Sequence, residues 1–227
     1  MNIRFLGHAA FALEHEGTTV LVDPFLTGNP KAAAAADDLA ADAILLTHGH
    51  PDHVGDTVAI AKRTGATVVA ITELAGELGG ELGEGHDVRD PNLGGTVEFE
   101  WGSVRLVPAW HTSTTPKGTV STPAGLVIEF GGKRIYHVGD SALFSDLQLA
   151  GKRGRLDATL LCIGGHYTMD RFDAVEAARL IGVDLVIPCH YDTFPAIETD
   201  AQAFKADVEH GGIAQVAVLD PGQEHKL

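Results

Sequence analysis

Short apolar runs alternate with polar turns along the whole chain, and their spacing predicts mixed strands and helices. Residues 2–6, 9–14 and 18–22 read as strands, the first two joined near Gly7 and the third ending at Asp23-Pro24. The alanine-rich stretch 32–40 favours helix by propensity. A strand at 43–46, a helix from about 51 to 63 and a strand at 66–71 follow. Residues 72–82 predict a helix weakened by Gly76, Gly79 and Gly80. Residues 97–101 and 104–109 predict a hairpin around Gly102-Ser103.

The second half has the same order. Residues 126–130 and 134–138 flank Gly131-Gly132, a hairpin signal. A strand at 158–163, a helix at 170–181, a strand at 185–187, a helix at 200–209 and a strand at 216–219 complete it. Two halves of matching order predict an α/β architecture: two sheets packed face to face with helices outside. No linker rich in Pro, Ser or charge divides them, so residues 1–227 are expected to form one domain.

Composition narrows the classes of function. A hydrophobic content of 44% supports a sizeable core. The formal net charge of -15 argues against nucleic acid, whose phosphates reward Lys and Arg. No apolar stretch approaches the roughly 20 residues of a spanning helix, and the opening residues lack the basic-then-apolar layout of a secretory signal. Cys162 and Cys189 have no CxxC spacing and read as buried thiols, which fits a reduced, cytoplasmic protein.

The chemistry concentrates in residues 47–56, THGHPDHVGD, where three histidines and two aspartates follow an apolar strand. Gly49 permits unusual backbone angles between His48 and His50. Pro51 keeps His50 extended and suits the first position of a helix. His48 and His50 then project from a strand-end loop, and Asp52 and His53 from the first helical turn. Other strand ends add candidates: His111 closes VRLVPAWH, Asp140 closes RIYHVGD, and His190 closes DLVIPCH. Imidazoles and carboxylates together suit zinc, iron, manganese or nickel. Seven such groups exceed one tetrahedral zinc and match two ions sharing a carboxylate.

The HxHxDH run with its later His, Asp and His resembles the metallo-β-lactamase fold superfamily. FLGHAAF, VDPFLTGNP, THGHPDHVGD, PAGLVIEFGGKRIYHVGD and CHYDTFP together resemble the UPF0173 metal-dependent hydrolases, relatives of ascorbate-6-phosphate lactonase. The likeness spans nearly the whole chain and implies a four-layer αββα sandwich. It also implies one metal on His48, His50 and His111 and a second on Asp52, His53 and His190, with Asp140 bridging both. Asp23 would orient a ligand histidine; a turn role before Pro24 is the alternative.

Two divalent ions bring four positive charges, and Asp52 and Asp140 remove two, so the site attracts an anionic or polarised carbonyl or phosphoryl group. A metal-activated hydroxide oriented by Asp52 is the expected nucleophile. His8, in LGHAAF, is placed near the site mouth by the resemblance; a structural turn histidine is the alternative. His166, in IGGHYTMD, is a candidate for proton transfer or substrate contact, against a packing role. Lys117, in the polar segment 111–124, is a candidate for contacting an anion. His137 reads as structural, and His15, His86, His210 and His225 as solvated. Tyr191 and Phe194 read as core or pocket lining.

The leading expectation is therefore hydrolysis of a small ester, lactone or phosphate-bearing molecule. A nuclease is second, since the fold also serves RNA-processing enzymes, but the acidic balance and the lack of a long insertion between Asp140 and His190 oppose it. Related di-iron oxidoreductases usually carry an acidic residue where His50 stands and an attached flavin domain, and neither is present here. A β-lactamase proper would be exported. A metal-dependent binding protein without turnover is the non-enzymatic reading. Relatives of the lactonase form multimers, so a homo-oligomer is expected by analogy.

Overall fold

The computed structural model describes residues 1–227. Seven strands form the first sheet: β1 (Asn2–Gly7), β2 (Ala10–His15), β3 (Thr18–Val22), β4 (Ala43–Leu45), β5 (Thr67–Val69) and β6 (Val88–Arg89), with β14 (Glu224–Lys226) returning to its edge. Its order is β14-β1-β2-β3-β4-β5-β6. The second sheet contains β7 (Thr96–Phe99), β8 (Gly102–Pro108), β9 (Ala124–Phe130), β10 (Lys133–His137), β11 (Ala158–Cys162), β12 (Leu185–Cys189) and β13 (Gln215–Val216), ordered β13-β12-β11-β10-β9-β8-β7. Each sheet is antiparallel through its hairpins and becomes parallel after β3 or β10. The parallel crossovers carry the helices. These are α1 (Pro51–Val54), α2 (Thr57–Thr64) and α3 (Thr72–Leu82) on the first sheet, and α4 (Arg171–Ile181) and α5 (Ala201–His210) on the second.

The two-sided burial of the sheets explains the sandwich. On β9, Leu126, Ile128 and Phe130 face the space between the sheets, while Val127 faces the outer layer. On β10 and β11, Ile135 and Leu160 point inward, and Tyr136 and Leu161 pack outward against helix residues such as Ala177 and Phe204. A period of two thus divides one strand between two cores.

Three elements differ from the sequence expectation. Residues 32–40 form only a 3-10 turn, Ala36–Asp38. The alanine run has propensity but no amphipathic face, and short helices depend on packing such a face. Ala33 N instead donates to Leu6 O of β1. The helix expected at 51–63 breaks at Gly55, whose φ of 42° lies outside helical space; only glycine fits there, since a Cβ would lie 2.5 Å from Phe25 Cα and Pro24 O. The β7–β8 hairpin turns at Glu100-Trp101, two residues before Gly102-Ser103. β6, β14 and the 3-10 segment Ser145–Arg153 carried no legible periodicity.

The site edge of both sheets is where β3, β4, β8, β10 and β12 end. Asp23, His48, Asp140 and His190 follow within three residues of their strands, and His111 follows β8. Backbone bonds join the sheets at this edge: His190 N donates to His8 O (2.7 Å) and Ala124 N to Thr47 O (2.9 Å).

Candidate metal centre

Asp23 leaves β3 with φ 44° and is fully buried. Its Oδ1 accepts from Thr47 N (2.8 Å) and its Oδ2 from Thr47 Oγ1 (2.6 Å) and His53 Nδ1 (2.7 Å). Thr47 has given its only hydroxyl proton to Asp23, so the 3.0 Å contact with His48 must be a donation from His48 Nδ1. One carboxylate therefore fixes Nδ1–H on two imidazoles, His53 directly and His48 through Thr47, and turns both Nε2 atoms into the donor cluster, where that of His48 lies 2.9 Å from His50 Nδ1. The expected orienting role of Asp23 has this geometry, and Thr47 is a partner that no sequence signal singled out.

Two groups of donors face each other across Asp140. His48, His50, His111 and Asp140 form one, with ligand atoms all within 4.8 Å of one another; His8, Asp52, His53 and His190 form the other by the same measure. Asp140 Oδ2 lies 3.1 Å from His190 Nε2, 3.6 Å from His111 Nε2 and 3.9 Å from His48 Nε2, and its Oδ1 lies 3.3 Å from His53 Nε2. The carboxylate thus reaches members of both groups, the placement expected of a shared ligand. All seven residues proposed as ligands from the sequence converge here, and His8 joins them.

The donor chemistry fits divalent cations. His53 Nε2, Asp140 Oδ1 and both ring nitrogens of His190 are buried without a hydrogen-bond partner, an arrangement that costs roughly 1–3 kcal/mol per group unless something fills it. Burial would depress the His53 pKa, yet the Asp140 and Asp23 carboxylates outweigh it and raise it well above 6.5. A position that draws a proton between two carboxylates is one where positive charge is favoured. Burial keeps the His48, His50 and His111 imidazoles below the usual value and therefore neutral, as metal ligation requires. Burial would raise Asp140 and Asp52, but His190 and His53 beside the first, and the His8 hydrogen bond on the second, hold both low and ionised.

His8 adopts φ 60° in the turn between β1 and β2. Its Nε2 lies 3.2 Å from Asp52 Oδ2 and its Nδ1 2.9 Å from Thr193 Oγ1. A carboxylate only accepts, so Nε2–H donates to Asp52 and Nδ1 accepts from Thr193. Burial lowers the His8 pKa to about 4, against the Asp52 bond that raises it. His8 therefore works as a neutral brace for Asp52.

The loop after β8 is bolted to the first donor group. Gly49 N donates to Ser113 Oγ (3.0 Å), and a Cβ on Gly49 would stand 2.5 Å from Thr114 O. Glu77 of α3 accepts from Thr115 Oγ1 and, at 2.8 Å, from Lys117 N. Lys117, expected to reach an anion, instead has its Nζ 3.2 Å from Glu81 Oε1 of α3; its ammonium is drawn to the nearer fixed charge. His166 lies outside both donor groups, exposed on the loop after β11 with φ 58°. That loop is tied to the site by Met169 N donating to the carbonyl of Ser141, which follows Asp140. His137 is buried between Ala9 O and Gly139 N, as a structural histidine. His86 is half-buried rather than solvated, with Nε2 2.9 Å from Ala66 O. Phe194 stands edge-on to His8, and Cys162 and Cys189 are free, buried thiols.

Candidate metal donors at the strand ends of two mixed sheets point to a class, and comparison with known proteins agrees. The beta-lactamase superfamily domain matches residues 2–190. A UPF0173 metal-dependent hydrolase of Thermus thermophilus is 46% identical over 230 residues, covering 100% of this chain and 99% of its own. One from Methanopyrus kandleri is 44% identical, covering 100% of both. A solved metallo hydrolase from Ignicoccus hospitalis superposes with a TM-score of 0.89 at 34% identity, over 100% of this chain and 98% of its own. The chain belongs to the beta-lactamase superfamily and has its metallo-β-lactamase fold. Within that superfamily it belongs to the UPF0173 metal-dependent hydrolases.

Proposed function

We propose that this metal-dependent hydrolase binds two divalent cations and cleaves a small anionic ester, lactone or phosphate-bearing substrate. His48, His50 and His111 would hold one ion, Asp52, His53 and His190 the other, and Asp140 both. The observation that carries the reading is the convergence of two donor groups on Asp140, with buried atoms of His53, His190 and Asp140 itself left without a hydrogen-bond partner. Zinc, manganese, nickel and iron all suit this donor set. Bound there, such cations supply a water acidified towards about pH 7 and a Lewis acid for a carbonyl or phosphoryl oxygen.

The chain's own residues supply the rest. Asp52, ionised and braced by His8, accepts a hydrogen bond from the attacking water and fixes its direction. Asp23 and Thr47 hold the imidazoles in the coordinating tautomer. His166, on the exposed loop tied to Ser141, donates a proton drawn from solvent to the leaving group, while the proton of the attacking water passes to Asp52. Two carboxylates against two divalent ions leave the centre positive, which selects an anionic or polarised group despite the acidic surface.

A panel of lactones and phosphodiesters, assayed with metal-loaded and chelator-treated protein, tests the proposal. Turnover only in the loaded protein, reduced at least a hundredfold by Asp52→Asn, is expected. Full metal content with no turnover on any substrate class would favour a binding protein instead.

A further inference from the structure

The acidic chain holds an unmatched cluster of cations far from the metal centre. On the outer face of the second sheet, Arg105 of β8 stands in register between Thr96 of β7 and Val127 of β9. The 3-10 segment Ser145–Arg153 lies against β8 and brings Arg153 to the same place. Between them is a cavity of about 240 Å³, lined also by Arg134, Ser103, Glu98 and Glu129.

Only one of its three guanidiniums is matched. Arg134 is paired with Glu129, and the nearby Lys133 and Arg155 are taken by Asp157 and Asp184. Arg105 and Arg153 form no ion pair, and neither side chain donates a hydrogen bond within the protein. Arg105 Nε is buried with no acceptor. Burial, and then the charge of Arg153, lower the Arg105 pKa from its ordinary value, so the two guanidiniums repel across the cavity. Three arginines against Glu98 and Glu129 leave the lining with one net positive charge, in a chain whose formal charge is -15. Like charges facing one another over an orphaned donor are relieved by an anion that accepts from both. Guanidinium forks match the oxygens of a tetrahedral oxyanion, and the hydroxyls of Ser103 and Thr96 add neutral donors.

We propose that Arg105 and Arg153 form a binding site for a small phosphate-bearing anion, distinct from the metal centre. Arg105 precedes His111 by six residues of mostly extended chain, roughly 15–20 Å at the rise of a strand. The site does not depend on the metal reading.

Inorganic phosphate titrated into the metal-loaded full chain, with the arginine Nε–H signals followed by NMR, tests the proposal. Variants Arg105→Gln and Arg153→Gln assign the two signals and probe the site. Both signals should shift together and saturate with phosphate, but not with chloride at equal ionic strength. Each variant should weaken that transition at least tenfold; Arg153→Gln, at an exposed position, guards against misfolding of the other. Phosphate binding only at the metal centre would leave both signals still and overturn the proposal. So would unchanged affinity in the variants, or loss of self-association in them with no saturable phosphate response, which would mark an acidic protein partner instead.

Discussion

Asp23 Oδ2 lies 2.7 Å from His53 Nδ1, and both side chains are completely buried. This contact orders the centre, because the same oxygen also takes the Thr47 hydroxyl and through it sets His48. Asp23→Asn keeps the volume but turns an NH2 towards His53 or Thr47, which inverts the tautomer the ligands need. Metal affinity should fall roughly 10- to 100-fold with the circular dichroism spectrum retained. Unchanged affinity by competition with a chelating dye would remove Asp23 from the account.

His166→Gln should lower kcat with metal content unaltered, since His166 belongs to neither donor group. General acid catalysis typically contributes about 10²–10⁴-fold, so the loss should fall in that range. An unchanged kcat would remove His166 from the chemistry.

Glu77→Ala removes the acceptor of Thr115 Oγ1 and Lys117 N. Amide exchange within residues 113–121 should accelerate at least tenfold, while global stability falls by only about 1 kcal/mol, as these bonds are partly exposed. Unchanged exchange would show that Ser113 and Ser121 alone hold the loop.

The stability of the metal-free chain should fall as pH drops from about 6.5 to 4. Folding lowers the His8 pKa to about 4 through burial, so the unfolded chain takes up a proton near 6.5 that the folded chain refuses until about 4. His48, His50, His111 and His137 shift in the same direction. His53 is raised; its stabilising contribution is complete below 6.5 and is lost only as pH rises through its folded value. It adds no slope in this window. Asp23, Asp52 and Asp140 are lowered from 3.8 and act only below it. His8 alone accounts for roughly 3 kcal/mol at most. Urea midpoints after chelation should therefore be lower at pH 5 than at pH 7, and a flat or opposite trend would contradict the assignment.

The candidate donors were legible because they follow the ends of short apolar strands. His48, His50, Asp52 and His53 are local to one turn, and His111, Asp140 and His190 each mark a strand exit. The partners were not. Thr47 and Thr193 carry hydroxyls whose acceptors are chosen by contacts 24 and 185 residues away. His8 reaches Asp52 only because the β1–β2 turn meets β12 across the two sheets. The alanine run misled for the opposite reason: propensity is local, whereas a short helix survives only where a face is buried.

The most direct measurement is the number of metal ions per chain, by elemental analysis of metal-replete wild type beside Asp140→Ala. The account predicts about two ions in the wild type and weaker retention at both positions in the variant, since Asp140 stands within 4.0 Å of members of both donor groups. A wild type that keeps no metal, or an Asp140→Ala variant that keeps two as tightly, would contradict it.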